Sequence, residues 1–149
     1  MKPEFLYHGS PLNLKILIPK QSNDGTELGS KLGIYACEHA SEVLTFAIPK
    51  RWHPDNPGGR RVWSQLPDGR GLIIEHGTID PFGVGYIHKI RSANFDKLDT
   101  KQWLSTVDVD VISVSEVKVE DYWHMIHFSQ EALAANKLRY PSNTLYINK

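Results

Sequence analysis

The 149 residues predict an α+β fold, two packed and mostly antiparallel sheets with flanking helices, formed as a single domain over residues 1–149. Three observations lead there. Short apolar runs, between Leu72 and His76, Gly85 and Ile90, and Val107 and Val119, have the length and alternation of strands. One earlier segment switches to helical period, with Ala40, Val43, Leu44, Ala47 and Ile48 at i, i+3, i+4, i+7 and i+8. The length suits one domain, and a composition 40% hydrophobic and 23% charged is apolar enough to build one core.

Taken in order, Phe5-Leu6-Tyr7 is a short strand stopped by the turn formers of His8-Gly9-Ser10-Pro11, which puts His8 at a strand end. Leu12 to Ile18 is mostly aliphatic and is closed by Pro19, and Gln21 to Ser30 is a polar loop. Gly33-Ile34-Tyr35-Ala36-Cys37 is a second strand that leads into the helix, and Pro49 marks the helix end. Arg51 to Gly71, with three prolines and four glycines, reads as a long excursion. The three runs that follow should pair as one antiparallel sheet. Asp121 is placed to cap a closing helix from Tyr122 to Leu138, which Pro141 stops, and Thr144 to Ile147 offers a final strand.

Charge excludes one class of function. Lys+Arg and Asp+Glu balance at 17 each, so the chain has no overall basic field to drive sequence-independent nucleic-acid binding. Cys37 stands alone and cannot form an intramolecular disulfide, which fits a reducing cytoplasm. No stretch approaches the roughly 18 apolar residues of a membrane span, so no membrane partner is expected. The oligomeric state is not encoded in any pattern we find.

Two short motifs carry chemistry. Tyr7-His8-Gly9-Ser10 joins an imidazole to a backbone that a ligand can approach closely, although a surface turn fits the same four residues. Gly33-Ile34-Tyr35-Ala36-Cys37 presents an aromatic ring just before a helix, a ring that can stack on a planar heterocycle or simply pack in a core. Later come Gly85-Tyr86-Ile87-His88, Phe95 and Gln102-Trp103-Leu104-Ser105.

In this order and spacing the motifs resemble the ADP-ribosyltransferase superfamily, and most of all its small bacterial and phage members that begin Tyr-His-Gly-Ser and carry Gly-x-Tyr-Ala and Trp-x-Ser later. The resemblance covers about Tyr7 to Tyr122. It implies an ADP-ribosyltransferase-like fold and a protein that takes NAD as substrate, cleaves the nicotinamide–ribose bond and passes ADP-ribose to protein, nucleic acid or water. By resemblance His8 would bond a ribose hydroxyl, the Gly9 backbone would hold the nicotinamide amide, Tyr35 would stack on the nicotinamide ring, and Ser10 and Gly33 would complete the cofactor contacts.

The third family element, a glutamate directly before the tryptophan, is Gln102 here. A carboxylate there would stabilise the positive charge that grows on the ribose. Its loss costs on the order of 100- to 1000-fold in rate, so binding can outlive transfer. Gln102 therefore keeps a catalytically inactive nucleotide-binding module open beside the transferase, and Glu116 and Glu120 stand as fallback carboxylates that are more often solvated charges. Lys50, Arg51, Arg60, Arg61 and Arg70, interleaved with Trp52 and Trp63, suit phosphates and bases, which leaves an RNA-directed 2′-phosphotransferase-like enzyme as a further alternative. His124 and His127 share a helical spacing but lack a third partner, so no metal is expected.

Overall fold

The computed structural model describes residues 2–21, 32–52, 63–65, 71–75, 77–132 and 145–146. Its strands are Phe5–Ser10 (β1), Ile16–Leu17 (β2), Lys20–Gln21 (β3), Leu32–Cys37 (β4), Arg51–Trp52 (β5), Trp63–Gln65 (β6), Leu72–Ile74 (β7), Gly77–Thr78 (β8), Val84–Arg91 (β9), Asp96–Lys97 (β10), Gln102–Ser105 (β11), Val109–Lys118 (β12), Ile126–Phe128 (β13) and Leu145–Tyr146 (β14). Helix is scarce. A 3-10 turn at Ala40–Val43 runs into one α-turn, Leu44–Ala47 (α1), and a second 3-10 stretch spans Val119–Met125. The chain is mixed α+β, with one large antiparallel sheet and, among the described residues, few helices. Among the described residues no helix is long and apolar enough to cross a membrane. By contact the chain divides into two compact units, Met1–Ala47 with Gly85–Val117, and Ile48–Val84 with Lys118–Lys149.

The first unit holds an eight-stranded sheet in the order β10-β11-β4-β1-β9-β12-β2, with β3 also paired to β4. β1 lies antiparallel to β9 over its whole length, from Phe5 opposite Arg91 to Ser10 opposite Tyr86. His8 is therefore inside a strand and not at its end, because Gly9 and Ser10 continue the ladder instead of turning. Side chains alternate across a strand, so Leu6, Ile34, Ala36, Ile90 and Trp103 fall on one face, where they meet Leu17, Phe95 and Val109 in a single core. Leu6, Ile90 and Phe95 are each 0% exposed, and burial of that completeness contributes about 1.5–3 kcal/mol per side chain.

The opposite face of the same strands carries Tyr7, Gly9, Tyr35, Cys37, Gln102 and Leu104. The helical turn lies on it, and two glycines explain how closely. A Cβ at Gly9 would overlap the carbonyl oxygen of Val43 and sit 2.9 Å from the amide nitrogen of Ala47, while a Cβ at Gly85 would overlap the carbonyl oxygen of Ala47. Helix backbone thus rests directly on strand backbone. The helical period seen in the sequence is real but short, with Val43, Ala47 and Ile48 buried and the helix over by Ala47, before Pro49.

The second unit holds a four-stranded sheet, β14-β13-β7-β6, and a small β5-β8 pair. β7 was expected to join β9 and β12 in one antiparallel sheet. Instead it pairs parallel with β13 and antiparallel with β6, and its buried Leu72 and Ile74 align with Ile126 and Phe128. The expected closing helix is corrected at the same place: Ile126 and Phe128 are buried around a half-buried His127, an alternation of period two that makes a strand. The 3-10 stretch before it starts from Lys118, not from Asp121 as cap, and the ring of Trp123 lies 5.4 Å from that of Phe128. Helix resumes at residues 130–132, and the remainder of the expected helix lies outside the described residues. So do most of the loops over 21–30 and 51–71, although β5 and β6 show that the second is not free of strand. Leu12 to Ile18 narrows to Ile16–Leu17, the residues that pair with β12.

Candidate functional site

His8 faces His88 across β1 and β9, and the two rings lie 6.1 Å apart. The Nδ1 of His8 is 2.6 Å from the carbonyl oxygen of Tyr35. A carbonyl only accepts, so Nδ1 carries the proton and donates; in the neutral ring Nε2 is then a bare acceptor, suited to a hydroxyl. Burial pushes the pKa of His8 down, as do the nearby His88 and Lys20, while the bond to Tyr35 pushes it the other way. The neutral form is favoured.

Tyr35 sits on β4 opposite Leu104 of β11, and Gln102 sits opposite Cys37. The order β11-β4-β1 therefore brings Gln102, Tyr35 and His8, the three residues expected from the sequence to be catalytic, onto three neighbouring strands. Their side chains do not all share a face. The ring of His8 is on the core side, whereas Tyr35 and Gln102 alternate to the helix side. What joins the first two motifs is the imidazole of His8 reaching the Tyr35 backbone just past the point where β1 and β4 register, at Tyr7 and Cys37.

The other predicted contacts have structural uses of their own. The space a Gly9 side chain would fill is taken by the backbone of Val43 and Ala47. Ser10 Oγ accepts the N–H of Leu12 at 3.1 Å and so closes the turn after β1. Gly33 lets β4 approach β11, since a Cβ there would come 2.9 Å from both Leu104 Cγ and the Ser105 carbonyl. Gln102 is fixed by its main chain: its N–H donates to Asp99 Oδ1 at 2.7 Å, and its carbonyl accepts the N–H groups of Leu98 and Asp99 at 2.9 and 3.2 Å.

Sequence reasoning missed the residues around Cys37. Burial, helped by the carboxylates of Glu42, Asp99 and Glu38 and opposed by Lys101, pushes that thiol up to about 11. Glu42 accepts the N–H of His39 at 3.0 Å in a capping box, and Glu38 accepts the indole N–H of Trp103 at 3.4 Å. The one sequence signal was the spacing of His39 and Glu42. By contrast Glu116 is exposed on β12, and Glu120 is exposed on the 3-10 stretch of the other unit. His88 was also missed. It is 0% exposed, and burial holds its pKa below the usual value for histidine against the bond it makes to His8.

Among the basic residues singled out near residues 51–70, Lys50 turns inward. Its Nζ donates to the Ile48 carbonyl at 2.8 Å, and burial brings its pKa down to about 7, which weakens it as a fixed cation for phosphate. Arg60, Arg61 and Arg70 lie outside the described residues, as do the side chains of Arg51, Trp52 and Trp63. His124 is exposed on the 3-10 stretch and His127 lies on β13, so the helical spacing assumed for them does not exist. Among the described residues no three His, Cys, Asp or Glu side chains gather as a metal would require. Compared with protein-family models, curated proteins and solved structures, the chain finds no match.

Proposed function

We propose that this chain is an NAD-binding, mono-ADP-ribosyltransferase-like protein with the corresponding fold, and that its site lies where β1, β4 and β11 meet. The observation that carries the proposal is the bond from His8 to the Tyr35 carbonyl, which couples the two motifs and leaves the Nε2 of His8 as an acceptor for a ribose hydroxyl. Because His8 and Tyr35 face opposite sides of the sheet, NAD would have to lie at the end of the β1–β4 ladder, with its ribose on the His8 side and its nicotinamide on the Tyr35 side. In the reaction the nicotinamide leaves with the electron pair of the glycosidic bond. The acceptor oxygen or nitrogen then bonds the anomeric carbon and gives up its proton.

Gln102 favours a second reading, a module that binds the dinucleotide without turning it over, because a neutral amide does not stabilise the cationic ribose as a carboxylate would. Two measurements on one sample separate these. Calorimetry with ADP-ribose reports binding, and chromatography of free nicotinamide reports cleavage of NAD. Binding that His8→Ala weakens by at least about tenfold supports the site; each tenfold corresponds to about 1.4 kcal/mol. No heat at about 1 mM ligand, or a His8→Ala variant that binds as wild type, overturns it.

A further inference from the structure

His88 is completely buried, yet both of its ring nitrogens are engaged with main chain. The N–H of Leu14 points at Nε2 from 3.0 Å, and Nδ1 lies 3.2 Å from the carbonyl of His8. These partners dictate the proton. An amide N–H only donates, so Nε2 must be bare; a carbonyl only accepts, so the single ring proton must be on Nδ1. A second proton, on Nε2, would point at the amide hydrogen of Leu14. The bond from Leu14 and the charged ring exclude one another.

We propose that His88 is the positioning residue of the His8 site: as the neutral Nδ1–H tautomer it clamps the backbone of β1 at His8 and the Pro11–Leu14 segment, and its protonation releases that segment. Among the described residues the groups facing it are few. β1 contributes His8, with Lys20 of β3 close enough to act on that ring; β9 itself contributes Tyr86 on the same face. Pro11, Leu12, Asn13 and Leu14 bear no titrating side chain, and on the face of β12 that carries buried Val109 and Val117 the alternate residues are Val111, Ser113 and Ser115. No carboxylate stands among these groups to stabilise an imidazolium, so acid breaks the clamp instead of strengthening it. That the clamped histidine recognises ribose rests on the function proposed above; the clamp does not.

The test needs no ligand. Long-range proton–nitrogen NMR at neutral pH should show His88 as the Nδ1–H tautomer. Hydrogen exchange should show the Leu14 amide protected at neutral pH, with its protection factor falling about tenfold per pH unit once His88 titrates, as linkage to one proton requires. In His88→Gln a side-chain oxygen can still accept from Leu14 but cannot titrate, so the protection should persist and lose its pH dependence. In His88→Asn the bond to His8 can survive while that to Leu14 is lost, so only the Leu14 amide should become fast. An Nε2–H tautomer in the wild type, or the same pH dependence in His88→Gln as in wild type, overturns the proposal. Failure to bind ADP-ribose would instead overturn the nucleotide reading and leave these signals unchanged.

Discussion

A methyl group at Gly9 tests how the helical turn is seated on β1. The added Cβ would overlap the Val43 carbonyl and come 2.9 Å from the Ala47 nitrogen and 3.2 Å from the Phe46 carbonyl carbon. All three are backbone atoms of one helical stretch, so no rotamer change relieves the clash and the turn must lift off the strand. Overpacking of this kind costs about 1–3 kcal/mol, and rigid neighbours put Gly9→Ala at the upper end. The lower entropy of the unfolded alanine chain offsets only about 0.4–1 kcal/mol. Gly85→Ala, whose methyl would overlap the Ala47 carbonyl, should cost more. Gly83→Ala is the control, since its closest contacts would be 3.1 and 3.2 Å, and it should stay within about 1 kcal/mol of wild type. Urea unfolding measures all three, read as midpoint shifts at unchanged slope. A Gly9→Ala protein as stable as wild type would mean that the turn does not rest on β1, and the need for glycine at position 9 would lose its steric cause.

Four further outcomes follow from the charges. His8 and His88 both have folded-state pKa values below the ordinary 6.5, so the unfolded chain takes protons first: stability is complete above about pH 6.5 and falls as pH drops below it, which thermal unfolding across that range will show, with a shallower fall in His88→Gln. Lys50 titrates at about 7 when folded against 10.5 when free, so stability should rise with pH between those values, and Lys50→Met should be more stable at pH 7 and lack the rise. With its pKa at about 11, Cys37 should react with iodoacetamide about 100-fold more slowly at pH 8 than a free thiol of pKa 9.0, and equal rates would refute its enclosure. If the chain cleaves NAD, Gln102→Glu should raise the rate constant on the order of 100-fold with little change in affinity; an unchanged rate removes Gln102 from the reaction.

Much of the first unit was legible because its strands alternate. The pattern around Tyr35, with Ile34 and Ala36 buried on either side of it, is visible in the residues themselves, as is the helical period from Ala40 to Ile48. His8 was misplaced because Gly9 and Ser10 are turn formers by preference. In this sheet Gly9 serves the close approach of α1, and a glycine alone does not say which of these needs it meets. The closing segment misled for a different reason. Ile126-His127-Phe128 is too short for its period to stand out beside Ala- and Leu-rich sequence, and its strand exists because β7, far away in the chain, offers Leu72 and Ile74 to pack beside. His88 was invisible as a special residue, since what distinguishes it is the Leu14 amide, 74 positions away, and no spacing records that bond.

The setting of Gln102 bears on why a neutral residue stands there. Gln102 pairs with Cys37, and Cys37 already feels Glu42, Asp99 and Glu38, with Lys101 opposing them. A carboxylate at position 102 would join that group, and the mutual repulsion of like charges would raise its own pKa. The same charges have a second effect. A cation developing near β11 would be attracted by the neighbouring carboxylates whether or not residue 102 is charged, although one aimed hydrogen-bonding carboxylate is worth more than several more distant ones. The two effects leave separate marks. In Gln102→Glu any gain in NAD cleavage should appear with an apparent pKa above the ordinary glutamate value near 4.3, because the introduced group must ionise against its neighbours. Adding Glu42→Gln, which keeps a side-chain oxygen for the N–H of His39 while removing the charge, should move that pKa back down. A pH profile indifferent to Glu42→Gln would show that the carboxylates around Cys37 do not reach position 102, and the neutrality of Gln102 would then have no electrostatic cause in this sheet.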